Sequence, residues 1–162
     1  ERNMKQFKPT VYIKSLNDMP VAFLKEKGIK GLILDIDNTL VPPHTPVCDA
    51  HAADFAKRME KDFKLCIVSN NIYERAKKFA DSFPMDFVCD GNKPAKKPFL
   101  LALGKLDLKP GEVAVVGDQI FTDVWGANRM GMLSVLVDPI CDKEGFFVRF
   151  KRVLERLVYK RQ

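Results

Sequence analysis

The sequence predicts an α/β protein with a doubly wound, Rossmann-like parallel sheet and helices on both faces, and three observations carry that prediction. Five short apolar runs, near Gly31, Leu65, Phe87, Val113 and Leu133, are each long enough for a buried strand. Between and after them, apolar residues recur at helical spacing at Asp49 to Lys61, Ile72 to Phe83, Pro98 to Leu106 and Thr122 to Met130. Strand and helix therefore alternate, as the crossovers of a parallel sheet require. The 162 residues suffice for one domain with a sizeable core, and no linker, repeat or low-complexity stretch divides residues 1–162.

Residues 1–30 carry Phe7, Val11, Tyr12, Ile13, Leu16, Val21 and Phe23, and are expected to form a short arm or helix beside the sheet or against lipid. The run from Gly31 to Leu34 then meets Asp35-Ile36-Asp37-Asn38-Thr39-Leu40. In extended chain the alternate spacing aims Asp35 and Asp37 the same way. Open α/β sheets gather their chemistry at the carboxyl ends of strands, so this pair stands where a substrate docks. Taken alone, Asp, Asn and Thr after a strand also make good turns and caps. A second acidic strand end weighs against that reading: Glu112 to Val116 is a short apolar run followed by Gly117-Asp118-Gln119-Ile120-Phe121-Thr122-Asp123.

Two further strand ends lie between them. Lys64 to Val68 ends in Ser69-Asn70-Asn71 before a helical pattern. Ser69 and nearby N–H groups suit a phosphate oxygen, while Ser69 and Asn70 equally suit capping of the next helix. Asp86 to Cys89 is followed by Asp90-Gly91-Asn92-Lys93-Pro94-Ala95-Lys96-Lys97-Pro98, a basic rim. A lysine there neutralises phosphate charge and holds a carboxylate ionised. Pro42, Pro43 and Pro46 stiffen one loop, and Pro110-Gly111 marks a turn.

Carboxylates converging on one cleft repel by roughly 4 kcal/mol per pair at about 4 Å in an effective dielectric near 20. Such a group calls for a cation. Oxygen donors without neighbouring thiols or imidazoles favour Mg²⁺, which commonly binds through one or two carboxylates together with substrate phosphate.

The order Asp35-x-Asp37-x-Thr39, Ser69-Asn70, Lys93-Pro94 and Gly117-Asp118 with Asp123 resembles the haloacid dehalogenase (HAD) superfamily of phosphohydrolases. Asp37-Asn38-Thr39-Leu40-Val41, Ser69-Asn70-Asn71, Thr122-Asp123-Val124, and Gly145-Phe146 with Arg149-Phe150 look like the YqeG family of HAD subfamily IIIA phosphatases. That family is related to the mitochondrial phosphatidylglycerophosphate phosphatase. The resemblance implies a HAD-like fold, with Asp35 as nucleophile through an aspartyl-phosphate and Asp37 as acid and base. It implies Mg²⁺ held by Asp35, the Asp37 backbone carbonyl, Asp118 and Asp123. Thr39, Ser69, Asn70 and Asn38 fall in the phosphate-holding set, and Lys93 is the catalytic lysine, with Lys97 as the alternative. A phospholipid is implied as a candidate phosphorylated substrate. The competing expectations are a HAD phosphatase for a protein or polynucleotide phosphate, or a non-catalytic binding module on this fold.

Only residues 40 to 68 separate the first two motifs and only 71 to 92 the next two, and each stretch must supply a helix and a strand. No cap domain fits, so the cleft should be open to a bulky substrate.

The net charge is +6 and the pI about 9.1, with the excess concentrated near the end of the chain. From Arg149 to Arg161, six cationic residues stand against Glu155 alone. Phe150, Val153, Leu154, Leu157 and Val158 recur at helical spacing, giving a basic amphipathic helix over 146–161. Its apolar stripe is expected to pack on the sheet with the basic face in solvent. That face also suits an anionic membrane, whereas no stacking platform signals nucleic acid. Cys48, Cys66, Cys89 and Cys141 are widely spaced and read as reduced thiols, and His44 and His51 as loop and helix-face residues. Without a signal peptide or a membrane-length apolar stretch, a cytoplasmic protein is expected, peripheral to the membrane if the basic helix meets lipid. The chain starts at Glu1, which leaves a preceding targeting segment open.

Overall fold

The computed structural model describes residues 4–141 and 146–159, with the backbone alone for 146–150. Six strands, β1 (Val11–Ile13), β2 (Gly31–Leu34), β3 (Lys64–Val68), β4 (Asp86–Val88), β5 (Val113–Gly117) and β6 (Leu133–Val137), form one sheet in the order β1-β6-β5-β2-β3-β4. Every pairing is parallel. The chain steps outward from β2 to β3 and β4, then crosses back to β5 and continues outward to β6. Its direction of winding reverses between β2 and β5, which makes their carboxyl ends the crevice of the sheet. Leu34 lies level with Val116, so the residues after both strands emerge side by side.

The central strands are buried on both faces: all four residues of β2 and all five of β5 are inaccessible. Successive side chains alternate between two layers. On one face Leu32, Leu34, Ile67 and Val116 pack with Phe55 and Met59 of α2 (Ala50–Met59) and Phe79 of α3 (Tyr73–Ser82). Leu24 of α1 (Val21–Glu26) joins that layer. On the other, Ile33, Cys66 and Val115 pack with Phe99 and Leu103 of α4 (Lys96–Leu106) and Ala127 of α5 (Trp125–Arg129). Burial pushes the Cys66 thiol up to about 12, with the Asp86 charge adding to it, so Cys66 serves packing and not nucleophilic chemistry. The helices thus lie on both faces, and no cap domain interrupts the β2-to-β4 stretch.

Two expectations are corrected. The segment Val11–Ile13, expected in an arm or helix, is an edge strand paired with β6 from Val11↔Val135 to Ile13↔Val137. Three residues are too few to show a period, and it is the partner strand that makes them extended. Thr10 and Ser134 add side-chain bonds across this pair, and the Tyr12 hydroxyl donates to Asp138 at 2.8 Å.

The second correction concerns α6 (Phe146–Val158). Its stripe was expected to pack on the sheet, yet Val153, Leu154 and Leu157 face outward and are 56%, 39% and 77% exposed. The inward face carries Arg152 and the buried Glu155, which accepts a bond from the Phe121 N–H at 3.2 Å. Tyr159 closes the contact against Ile120, Val124 and Leu136. A charge-assisted contact to a buried carboxylate, described below, turns the helix this way. Gly145, Lys160 and Arg161 lie outside the described residues, as do the side chains of Phe146, Arg149 and Phe150. Among the described residues no helix is long and apolar enough to cross a membrane.

Candidate active site

Asp35 follows β2 directly, and its N–H donates to the Val116 carbonyl at 3.1 Å, tying the first acidic residue to β5. Asp118 follows β5 and is fully buried. The chain then opens into a wide π-helical turn (Ile120–Val124), in which the Asp123 and Val124 N–H groups both donate to the Gln119 carbonyl. This turn swings Asp123 back over the end of β5. A Cβ on Gly117 would lie 2.2 Å from the Asp123 carboxylate, so only glycine permits the approach. Among the described residues, Asp35, Asp118 and Asp123 form the group able to hold a metal, with one oxygen from each within 4.8 Å of the others.

Among the described residues, two cations face these three carboxylates. Lys93, buried, donates from Nζ to Asp35 Oδ1 at 2.7 Å and to Asp123 Oδ1 at 2.6 Å. Arg152 of α6 donates to Asp118 Oδ2, and through its other terminal nitrogen to the Asp118 carbonyl at 2.8 Å. The Thr39 hydroxyl lies 3.2 Å from Asp118 Oδ1 and 3.4 Å from Asp35 Oδ2, and its single proton serves one of them at a time.

The electrostatics follow from burial. Desolvation lifts the Asp35 carboxyl well above the usual carboxylate range; Lys93 opposes this, while the charges on Asp123 and Asp118 add to it. Asp118 is raised for the same first reason, against the Arg152 guanidinium. Burial pulls Lys93 down, but the Asp123 and Asp35 charges outweigh it and hold the ammonium above its ordinary value. Lys93 therefore stays charged, while two acids are pressed toward their protonated forms.

Asp37 stands apart from the acidic triad. Its carboxylate receives the Arg75 guanidinium in a two-point contact at 2.6 and 3.2 Å and the Asn71 amide at 2.7 Å. Arg75 is anchored in turn on the Thr45 carbonyl at 3.0 Å. Between Asp37 and the triad lies a small polar cavity of about 130 Å³, lined by Asp35, Asp37, Ser69, Asn70, Lys93 and Thr122.

Of the residues expected to hold phosphate, Ser69 and Asn70 line this cavity. Neither caps α3: its N-cap is Ile72, without a side-chain bond. Ser69 Oγ instead accepts from the Asn71 backbone and amide, and Asn70 Oδ1 from the Lys93 N–H at 2.8 Å. Thr39 and Asn38 are engaged elsewhere. Thr39 is spent on the carboxylates, whereas Asn38, at φ +59°, gives its N–H to the Val41 carbonyl and accepts from the Cys141 N–H on Oδ1 at 3.0 Å. Lys97 is exposed on α4 and Lys93 is the lysine in the site. Sequence reasoning missed Arg75 and Arg152. Arg75 follows Asn71 by one helical turn, a spacing that could have drawn attention to it; Arg152 was hidden among similar cations.

Comparison with known proteins gives the family and the fold. Residues 2–82 match the family model for mitochondrial PGP phosphatase, and residues 90–139 match the HAD-hydrolase-like model. The chain is 37% identical over 155 residues to the probable phosphatase YqeG of Bacillus subtilis, covering 95% of this chain and 90% of that protein. It is 31% identical over 147 residues to the mitochondrial phosphatidylglycerophosphatase of Saccharomyces cerevisiae, covering 80% and 77% of the two. In fold, the crystal structure of a HAD phosphatase from Thermococcus onnurineus aligns with a TM-score of 0.51 at 16% identity, over 78% of this chain and 98% of that one.

Proposed function

The chain belongs to the YqeG family of HAD phosphatases, hydrolases of phosphomonoesters, and from that premise we propose a Mg²⁺-dependent enzyme that dephosphorylates phosphatidylglycerophosphate through an aspartyl-phosphate on Asp35. The observation that carries the chemistry is the placement of Asp35 between Lys93 and two further buried carboxylates at the crevice of the sheet. The substrate is supported by the name of the yeast relative and by a cleft without a cap.

The donor set fits the metal. Three buried carboxylates each bring an oxygen within 4.8 Å of the others, and all the donors are hard oxygens. Asp35, Asp118 and Asp123, with the backbone carbonyl of Asp37, would hold Mg²⁺, which when bound supplies positive charge to the carboxylates and the phosphoryl oxygens.

In the first step an Asp35 carboxylate oxygen attacks phosphorus and the bond to the leaving alkoxide breaks. Asp37 protonates that alkoxide. In the second, water attacks the same phosphorus while Asp37 takes its proton, the bond to Asp35 breaks and inorganic phosphate departs. Lys93 holds Asp35 in place and carries positive charge beside the phosphoryl group. Ser69 and the Asn70 loop present polar groups to its oxygens, and Arg75 with Asn71 fixes the direction of the Asp37 carboxylate.

Contact with an anionic membrane through α6 would keep such an enzyme at its substrate, at about 1 kcal/mol per Lys or Arg near the surface. Phosphate release should be measured with phosphatidylglycerophosphate in mixed micelles, a soluble aryl phosphate, a phosphopeptide and a 5′-phosphorylated oligonucleotide, each with Mg²⁺ and with chelator. Mg²⁺-dependent release that is greatest from the lipid is expected. Preference for the peptide or oligonucleotide would overturn the substrate, and no release from any of the four would overturn the chemistry.

A further inference from the structure

Helix α6 touches the acidic site with one face and presents an unusual surface with the other. Leu157 lies one helical turn from both Val153 (i, i+4) and Leu154 (i, i+3), so the three share one stripe, and all three are exposed. Arg152 and Glu155 lie on the opposite side, turned into the protein. A surface helix normally buries its apolar stripe. Here these three side chains are displayed, and among the described side chains those that seat the helix are largely polar: the Arg152 contacts with Asp118, the Glu155 contact with Phe121 N–H, and Tyr159 below them.

Arg152 also draws on a carboxylate of the triad. The guanidinium holds Asp118 Oδ2 and the Thr39 hydroxyl lies against Oδ1, so a divalent cation that takes Asp118 as a ligand meets Arg152 at the same carboxylate, where the two positive charges repel. The buried Glu155, whose Oε2 lies 3.8 Å from Arg152, offers the guanidinium a second carboxylate when it leaves Asp118. The shared carboxylate therefore sets the guanidinium and a divalent cation against each other.

We infer that α6 is a latch on the acidic site: Arg152 competes with a divalent cation for Asp118, and the outward face of the helix docks on an anionic lipid bilayer. The occupant is argued from charge. The stripe is flanked by Lys151 and the exposed Arg156, in a segment whose only acidic residue, Glu155, is turned inward. An apolar band flanked by cations is the pattern of helices that lie in the interface of anionic membranes. The inference rests on the metal site of the preceding reading and adds to it the cation competitor and the lipid face. Binding of the cation at Asp118 should loosen α6, and loosening α6 should favour the cation, because coupling between the two is reciprocal.

Three measurements test this without turnover as readout. In calorimetric titration of the full chain with Mn²⁺, Arg152→Ala should bind about ten-fold tighter than the parent, within the range usual for coupled sites. Equal affinity would overturn the competition, and weaker binding would overturn it by showing Arg152 as a support of the site. Hydrogen exchange of the amides over 146–158 should quicken when Mg²⁺ is added; unchanged or slower exchange would also overturn it. In co-sedimentation with phosphatidylglycerol vesicles, Leu157→Glu should lose most of the bound fraction while keeping the parent melting temperature, and vesicles of phosphatidylcholine alone should retain little of either protein. Equal sedimentation of the variant and the parent, or equal binding to both vesicle types, would overturn the lipid face. Hydrolysis of the soluble aryl phosphate reports separately on the catalytic reading, so its failure is distinguishable from that of the latch.

Discussion

Two regions meet at Asp118 and are held in place by opposite means. The seam of β2 and β5 is apolar and buried on both faces, with its register fixed from Gly31↔Val113 to Leu34↔Val116. Among its described side chains, helix α6 meets the end of that seam through Arg152 and Glu155 and leaves Val153, Leu154 and Leu157 exposed. An apolar seam cannot part without exposing its core to water, whereas a polar contact exchanges one partner for another at modest net cost. The seam therefore sets the positions of Asp35 and Asp118, and α6 is the part that a competing ion or surface can displace.

The largest effect should come from the seam's chemistry. Asp35→Asn keeps the size of the side chain but removes the nucleophile, and steady-state turnover of an aryl phosphate should fall on the order of 10⁴-fold or more. A variant with parent-like turnover would detach Asp35 from the reaction and leave the seam as scaffold only.

Stability should separate the two regions next. Ile67 is fully buried against the β2 layer, so Ile67→Ala should cost about 2 to 5 kcal/mol in urea unfolding. Leu157→Ala on α6 should stay within about 0.5 kcal/mol of the parent, because its side chain is already in water. A cost above about 2 kcal/mol at Leu157 would place the stripe in the core and erase the contrast.

Gly117→Ala probes the point where the seam receives Asp123. The added methyl group meets that carboxylate and must push it away, costing about 1 to 3 kcal/mol of stability. Mn²⁺ affinity, read by calorimetry, should fall with it; retained affinity would remove Asp123 from the metal set.

The smallest expected effect is a pH dependence. Burial raises the Asp35 and Asp118 carboxyls in the folded protein, so the native state keeps protons that the unfolded chain has released. Without a divalent ion, stability should therefore decline as pH climbs from the ordinary carboxylate range through these raised values. Mg²⁺ must displace the same protons, so the rise in melting temperature that it brings should be smaller near about pH 5 than near about pH 8. An equal rise at both would show that these two groups do not hold the ion.

The contrast also explains what could be read from the amino acids alone. The apolar runs at Gly31, Leu65, Phe87, Val113 and Leu133 became strands because buried parallel strands are continuous in hydrophobicity, and the residues ending them fell at one rim. Lys93 was legible for the same reason, as the lysine nearest its strand. Val11–Ile13 was illegible because an edge strand of three residues takes its shape from β6. In α6 the period was legible and the orientation was not. Helical spacing marks which residues share a face; which way that face points was decided by Arg152 meeting Asp118, a contact spanning 34 positions. Arg75 was missed similarly, because its partner Asp37 lies 38 positions away.

The nucleophile can be located directly by acid-quenching Asp37→Asn after brief exposure to a ³²P-labelled aryl phosphate and mapping the labelled peptide. The aryl leaving group needs no acid to depart, and without Asp37 the second step lacks its base, so a covalent intermediate should accumulate. A hydroxylamine-labile label on the peptide containing Asp35 is expected. Phosphate released with the label on any other residue would contradict the placement of the reaction at the end of β2.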